Sequence, residues 1–459
     1  MPPDEAAGAA PAERAVPSAS PDHGPPPRGT DHGPLPRTGC ADAPPAPSVG
    51  ETDADVPGAV RLRLEAVLAR RVAGARAVDE TFGRDVAERV ARFTLVGGQR
   101  IRPQFLWWGM RACGPPGSEQ ADDALRLGTA LELIQTCALI HDDIMDAAPV
   151  RRGEAAVHAA LASQYVAGPG YVAGPGYVAG PGYVAGAGHV AGPGAPATRF
   201  GESAAILAGD LALAWADDEL TALDLPPHRA RSVRDVWAQM RMEMVAGQYL
   251  DIHGELTGAR SPGRAIRAAV LKTALYTVVR PLQLGALLGG ADPDLQRALC
   301  TAGRCAGLAF QLRDDLDDLF EGPRPRGRPA GADVRSGKPT YLAAVAQARA
   351  EADGDHRALA VLRHCVGRAD LDDGGLDEVR DVFTRTGAAA AVRDKIGRLL
   401  AQAVRRLGSA QVDPVARARL LGLMHAAAGS PAGSAPHALD RPSAARAAGP
   451  PPAVEGACP

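Results

Sequence analysis

The sequence predicts an all-α protein, and three observations carry that expectation. Apolar residues recur at helical spacing in one segment after another, as in Leu125, Leu127, Leu131, Ile134 and Leu139. No stretch alternates apolar and polar residues as a half-buried strand would. The densest chemistry, Asp142-Asp143-Ile144-Met145-Asp146 and Asp314-Asp315-Leu316-Asp317-Asp318, falls at the ends of two such segments.

The chain has 459 residues, a length that allows two or three domains, but its 40 prolines and 53 glycines gather at the ends and in one internal stretch. The expectation is one helical domain over 58–429 between Pro/Ala/Gly-rich tails, 1–57 and 430–459, too poor in large apolar side chains to offset the entropy of ordering. A net charge of −3 argues against a nucleic-acid binder. Arginine almost wholly replaces lysine, leaving Lys272, Lys338 and Lys395. The 7 cysteines form no C-x-x-C pair and read as free thiols of a reducing compartment. No apolar run is long enough to span a bilayer, and no leader is evident, so a cytoplasmic protein without a transmembrane segment is expected.

Helical periodicity begins near Ala59 and runs through Phe93 until Gly97-Gly98 breaks it. Gln99-Arg100-Ile101-Arg102-Pro103 then opens a helix, where free backbone N–H groups and arginines together suit an anion. A helix from about Glu119 to Asp146 ends in the first acidic cluster, followed closely by Arg151-Arg152-Gly153. His141-Asp142 also matches the doublet of metal-dependent HD phosphohydrolases, but no ordered set of further His and Asp ligands follows. Residues 165–194 repeat Tyr-Val-Ala-Gly-Pro-Gly; Pro-Gly every sixth residue forbids regular structure, so 164–199 is expected to be a flexible insertion. Further helices carry Gly247-Gln248 and Asp251, then Lys272-Thr273, Tyr276 and Arg280 with a bend allowed at Pro281, then the second cluster over about 294–320. Gly337-Lys338 lies in a polar loop, and the remaining helices are expected over 341–350, 356–366, 376–407 and 414–428.

In each D-D-x-x-D cluster the first and last aspartates lie about 40° apart on a helix, with the middle one about 100° round. Carboxylates so close repel one another unless a cation sits among them. An oxygen-only donor set with room for water and phosphate suits Mg²⁺ better than zinc. Two such faces across one cavity would grip a diphosphate through bridging metals, with nearby arginines on its free oxygens.

These motifs, in this order, make the chain similar to the trans-isoprenyl diphosphate synthases of the polyprenyl synthetase family over about 60–425. The resemblance implies a helical bundle around a central cavity and a homodimer. It also implies Mg²⁺-dependent condensation of isopentenyl diphosphate with an allylic diphosphate (dimethylallyl, geranyl or farnesyl). Asp142, Asp146 and Asp314 would hold the metals, supported by Asp143, Asp315 and Asp318. Arg151, Lys272 and Lys338 would contact the allylic diphosphate, with Gln248 also in the substrate site. Gly98, Gln99, Arg102 and Arg152 would form the isopentenyl diphosphate site, with Gln135 nearby. Thr273 and Gln311 would stabilise the developing carbocation.

Two positions depart from the family pattern. Gln99 and Arg328 stand where lysine is usual, and Gln99 implies weaker isopentenyl diphosphate binding, with Arg100 and Arg102 compensating in part. Cys137 and Ala138, both small, lie about 6–7.5 Å before Asp142 along the helix and would let a growing tail pass, leaving Ile134 and Leu131 as the next floor. That spacing implies geranylgeranyl diphosphate (C20). Alternatives are a farnesyl or longer-chain synthase, a class I terpene cyclase, which would lack the second Asp-rich cluster, and a catalytically silent modulatory subunit.

Overall fold

A computed structural model of the chain describes residues 47–164, 194–258, 261–321 and 330–429. The expected tails up to residue 46 and beyond 429, the repeat over 165–193, and Arg328 lie outside the described residues. The all-α expectation holds among the described residues, the one sheet there being a two-stranded ribbon.

The helical body starts earlier than expected. Helix α1 (Val49–Ala54) and helix α2 (Val56–Val78) both lie wholly or partly before residue 58. Ser48 caps α1 in a capping box with Glu51, and Asp53 anchors it by accepting from Trp107 Nε1 at 2.8 Å and from Arg111. A short turn α3 (Glu80–Phe82), a π-turn π1 (Gly83–Ala87) and α4 (Glu88–Leu95) lead to the Gly97-Gly98 break. Helix α5 (Ile101–Arg111) follows, then the long α6 (Ser118–Met145) that carries the first acidic cluster.

After α6 the chain makes the ribbon, strands β1 (Val150–Arg151) and β2 (Glu154–Ala155), with Arg151 opposite Glu154. Its two-residue turn, Arg152-Gly153, has φ of 56° and 81°, the left-handed pair that a tight hairpin demands and that glycine tolerates. Helix α7 (Val157–Gln164) precedes the repeat, and α8 (Ala195–Thr221) follows it, so the last five residues of the expected insertion are helical. Helices α9 (Pro227–Thr257) and α10 (Pro262–Ala269) lead into a ten-residue π-helix, π2 (Val270–Val279), which continues as α11 (Arg280–Gly289). Arg280 N–H bonds back five residues to the Leu275 carbonyl, and Pro281, which has no N–H, follows at the first turn of α11. The expected bend at Pro281 is therefore a wide helical turn that ends there.

Helix α12 (Pro293–Phe320) carries the second cluster. Helices α13 (Ala332–Ser336), α14 (Tyr341–Ala352), α15 (His356–Cys365), α16 (Asp373–Arg385), α17 (Ala388–Gly408) and α18 (Pro414–Ala427) complete the described body. The single helix expected over 376–407 is two, because Gly387 takes φ 67° between α16 and α17. The main packings are α6 and α7 on α8, α5 on α11, α12 on both π2 and α17, and α9 on π2. Helices α6 and α12 thereby bring their acidic ends to one cavity.

Candidate active site

A cavity of about 960 Å³ opens between α6, α9, π2 and α12. Asp142 and Asp314 both line it, as do Asp315 and Asp318. The first cluster is held from the hairpin: Arg151 donates from Nε to Asp143 Oδ1 at 2.8 Å and from Nη2 to Asp142 Oδ2 at 3.0 Å. Ahead of Arg151 the chain reverses at the end of α6, where Ala147 takes φ 47° and the Ala148 N–H donates to the Asp143 carbonyl at 2.9 Å.

Lys272 and Lys338 tie the two clusters together. Lys272 Nζ lies 3.3 Å from Asp142 Oδ1 and 2.7 Å from Asp251 Oδ2. Lys338 Nζ lies 3.7 Å from Asp146 Oδ2, 4.0 Å from Asp251 and 3.8 Å from Asp333 Oδ1. The Asp333 backbone N–H donates to Asp318 Oδ2 at 3.1 Å, which completes a continuous path from one acidic helix end to the other. Gln248 Nε2 donates to Asp142 Oδ1 at 3.2 Å.

The close packing of α9 on π2 makes this possible. A Cβ at Gly247 would stand 2.3 Å from the backbone nitrogen of Lys272, so only glycine admits the approach that sets Gln248 and Lys272 side by side. The π-geometry turns Lys272, Thr273, Tyr276 and Thr277 all toward the cavity. Thr273 Oγ1 donates to Gln311 Oε1 at 2.5 Å, and Gln311 Nε2 donates to Asp315 Oδ1 at 2.8 Å.

Two carboxyls of the second cluster are shifted upward by their surroundings. Burial, then the neighbouring Asp333 charge, holds the Asp315 carboxyl well above the usual carboxylate range. The same two causes push Asp318 up to about 7. Among the described residues no three His, Cys, Asp or Glu side chains converge as they stand on a single ion position. The donors are nonetheless all carboxylate oxygens along one cavity wall, the set a hard divalent cation takes when a ligand's oxygens complete its shell.

A second basic corner is formed by Gly98, Arg102, Gln135 and Arg152, all on the cavity wall. Arg102 stacks 4.4 Å above the Tyr276 ring and donates from Nη2 to Thr277 Oγ1 at 2.9 Å. Arg152 lies 5.8 Å from the Phe93 ring.

Some expected residues sit elsewhere. Asp143 is buried behind Arg151 and does not reach the cavity wall, because it lies about 100° round α6 from Asp142. Asp146, the C-cap of α6, is likewise off the wall, beside Lys338. Gln99 is exposed and off the cavity wall, and Gln104 Nε2 donates to its carbonyl at 2.7 Å. Arg100, expected to compensate for Gln99, is turned inward instead, with Nη1 2.8 Å from Glu132 Oε2. Cys137 and Ala138 do line the cavity, whose α6 wall runs from Gln135 to Met145. Ile134 and Leu131 are fully buried outside it, so neither touches the cavity as a floor residue would. Asp251 and Tyr276, noted on their helices without a role, and Asp333 and Glu132 also take part; each takes its place through contacts distant in sequence, and only the three-residue step from Gln248 to Asp251 on one helix gave a local hint.

The polyprenyl synthetase family model matches residues 84–378. The chain belongs to the polyprenyl synthetase family, and it is a transferase of prenyl groups. It is 29% identical over 293 residues to a short chain isoprenyl diphosphate synthase of Methanothermobacter thermautotrophicus, covering 64% of this chain and 74% of that protein. It is 31% identical to a farnesyl diphosphate synthase of Geobacillus stearothermophilus, covering 61% and 81%. The fold matches a geranylgeranyl pyrophosphate synthase of Corynebacterium glutamicum, solved with isoprenyl diphosphate and magnesium. That match has TM-score 0.72 and 34% identity, over 82% of this chain and 98% of that one. Among the described residues no helix is long and apolar enough to cross a membrane.

Proposed function

We propose that the chain condenses isopentenyl diphosphate with an allylic diphosphate to make an all-trans product, geranylgeranyl diphosphate (C20), as a Mg²⁺-dependent homodimer. The observation that carries this reading is that Asp142 and Asp314 line one cavity with Lys272, Arg151 and Lys338 around it. Asp142, Asp146 and Asp314 are the proposed metal-holding residues, with Asp143, Asp315 and Asp318 in support. The cation, once bound, supplies charge neutralisation for the departing pyrophosphate.

The chain's own groups do the rest. Arg151, Lys272 and Lys338 grip the free oxygens of the allylic diphosphate and orient its C–O bond into the cavity. Gln248 stays beside Asp142. Arg102, Arg152 and the Gly98 backbone hold isopentenyl diphosphate at the second basic corner. The Thr273 hydroxyl oxygen and the Gln311 amide dipole face the cation that develops when that bond breaks. The apolar wall, including Met244, Val245 and Phe310, keeps water away from it. The attacking double bond forms the new C–C bond, and the proton lost from the resulting cation goes to the released pyrophosphate.

The C20 length rests on the small side chains of Cys137 and Ala138 on the cavity wall. The second acidic cluster, together with the Gly97–Arg102 corner, favours this over a terpene cyclase, and the lysine-bridged clusters favour it over a silent subunit. The test is incubation with isopentenyl diphosphate, each allylic primer and Mg²⁺, followed by chromatography of the dephosphorylated products. A dominant C20 alcohol is expected; cyclic hydrocarbons or no elongation would contradict the reading.

A further inference from the structure

The second basic corner packs like charges unusually tightly. Arg152 has guanidinium nitrogens 3.6 Å and 4.0 Å from where Cβ atoms would stand on Gly97 and Gly98, and the Arg100 guanidinium is also 3.6 Å from the Gly97 position. Burial and the charges of Arg151 and Arg100 disfavour the Arg152 cation, while Glu132 and, less, Asp143 favour it. Arg100 is only 6% exposed and Glu132 only 8%, and their ion pair at 2.8 Å is sealed from water. Arg100 also holds φ 47°, a left-handed conformation that fixes how the Gly97-Gly98 turn enters α5. A hydrogen bond between Thr94 Oγ1 and Thr136 Oγ1, 2.9 Å, fastens the end of α4 to α6 one turn beyond Glu132.

We infer that Glu132 is a positioning residue of the isopentenyl diphosphate corner: its buried carboxylate neutralises Arg100 and thereby lets Arg152 stay folded over Gly97-Gly98. This rests on the proposed reading of Gly98, Arg102 and Arg152 as that corner. Glu132 does not line the cavity. Its effect passes through Arg100, which the family resemblance would have placed among compensating anion contacts. With Glu132 neutral, a bare buried guanidinium would stand beside Arg152, and repulsion in a poorly solvated corner would drive one of the two outward.

The test compares steady-state constants and melting temperatures of four proteins: Glu132→Gln, Arg100→Gln/Glu132→Gln, Glu132→Asp and Arg152→Ala. Glu132→Gln is expected to raise KM for isopentenyl diphosphate about tenfold, with kcat and the allylic KM within about twofold of the parent. The double variant, which removes both buried charges, is expected to bring that KM back within about threefold of the parent. If Glu132→Gln does not fold, Glu132→Asp, which keeps the charge one methylene short, is expected to shift KM in the same direction by a smaller factor. A folded Glu132→Gln or Glu132→Asp with unchanged isopentenyl diphosphate KM overturns the inference. So does a double variant no better than Glu132→Gln, since a merely structural role would not be rescued by deleting the partner charge. Arg152→Ala separates the two readings: if it alone leaves that KM unchanged, the assignment of the corner fails and takes the inference with it.

Discussion

Arg102 shows how single residues work in this site. Its guanidinium has two supports from consecutive residues of π2, the Tyr276 ring at 4.4 Å and Thr277 Oγ1 at 2.9 Å. Tyr276→Leu removes the ring and about 0.5–2 kcal/mol of cation–π attraction, so KM for isopentenyl diphosphate should rise roughly 2- to 30-fold. Tyr276→Phe keeps the ring face and should leave that KM close to the parent value. Cys137 is 4% exposed, and burial pushes its thiol up to about 12, so it acts as a small apolar side chain on the cavity wall. Cys137→Phe should fill the space beside the tail and shift the product toward C15; an unchanged product distribution would refute the role given to that position. At Asp318 the carboxyl is raised to about 7, against about 3.9 in an unfolded chain. A group raised in this way favours the fold fully below the unfolded value and loses that contribution as pH climbs through the folded one. The metal-free protein should therefore lose stability between about pH 4 and pH 7. Mg²⁺, competing with the proton, should raise the melting temperature more at pH 8 than at pH 5.5. A metal-induced shift independent of pH would contradict this.

At the level of elements, α6 and α12 were legible in the sequence almost to the residue. Their apolar faces repeat at helical spacing, and Asp292 caps the start of α12 by accepting from Leu295 N–H. The π-geometry of π2 was not legible, because ten residues cannot distinguish a five-residue hydrogen-bond step from a four-residue one by apolar spacing. The hairpin was missed because strands of two residues are too short to alternate; Arg152-Gly153 as a two-residue turn was its only local mark. Packing between elements explains why Gly247 precedes Gln248. Gly247→Ala puts a methyl 2.3 Å from the Lys272 nitrogen, which forces α9 and π2 apart. Such overpacking costs about 1–3 kcal/mol and should lower both the melting temperature and kcat, since it moves Lys272 and Gln248 together. A variant with parental stability and activity would show that this contact does not position Lys272.

Across the whole described body, the chemistry lies where two distant chain segments meet. The two acidic clusters announce themselves locally, but what joins them does not. Asp251 and Asp333, which bridge through Lys272 and Lys338, acquire their place only when α9 and the start of α13 are packed against the ends of α6 and α12. For the same reason Gln99 and Ile134, well placed along the chain, sit off the cavity once the helices are assembled. The proposed function requires both clusters to act on one diphosphate. Calorimetric titration of inorganic pyrophosphate in the presence of Mg²⁺, on the parent protein, Asp142→Asn and Asp314→Asn, tests it most directly. Tight binding to the parent and a loss of at least about tenfold in each variant are expected, because each substitution removes a charged oxygen donor from a shared site. Parental affinity in either variant would contradict it.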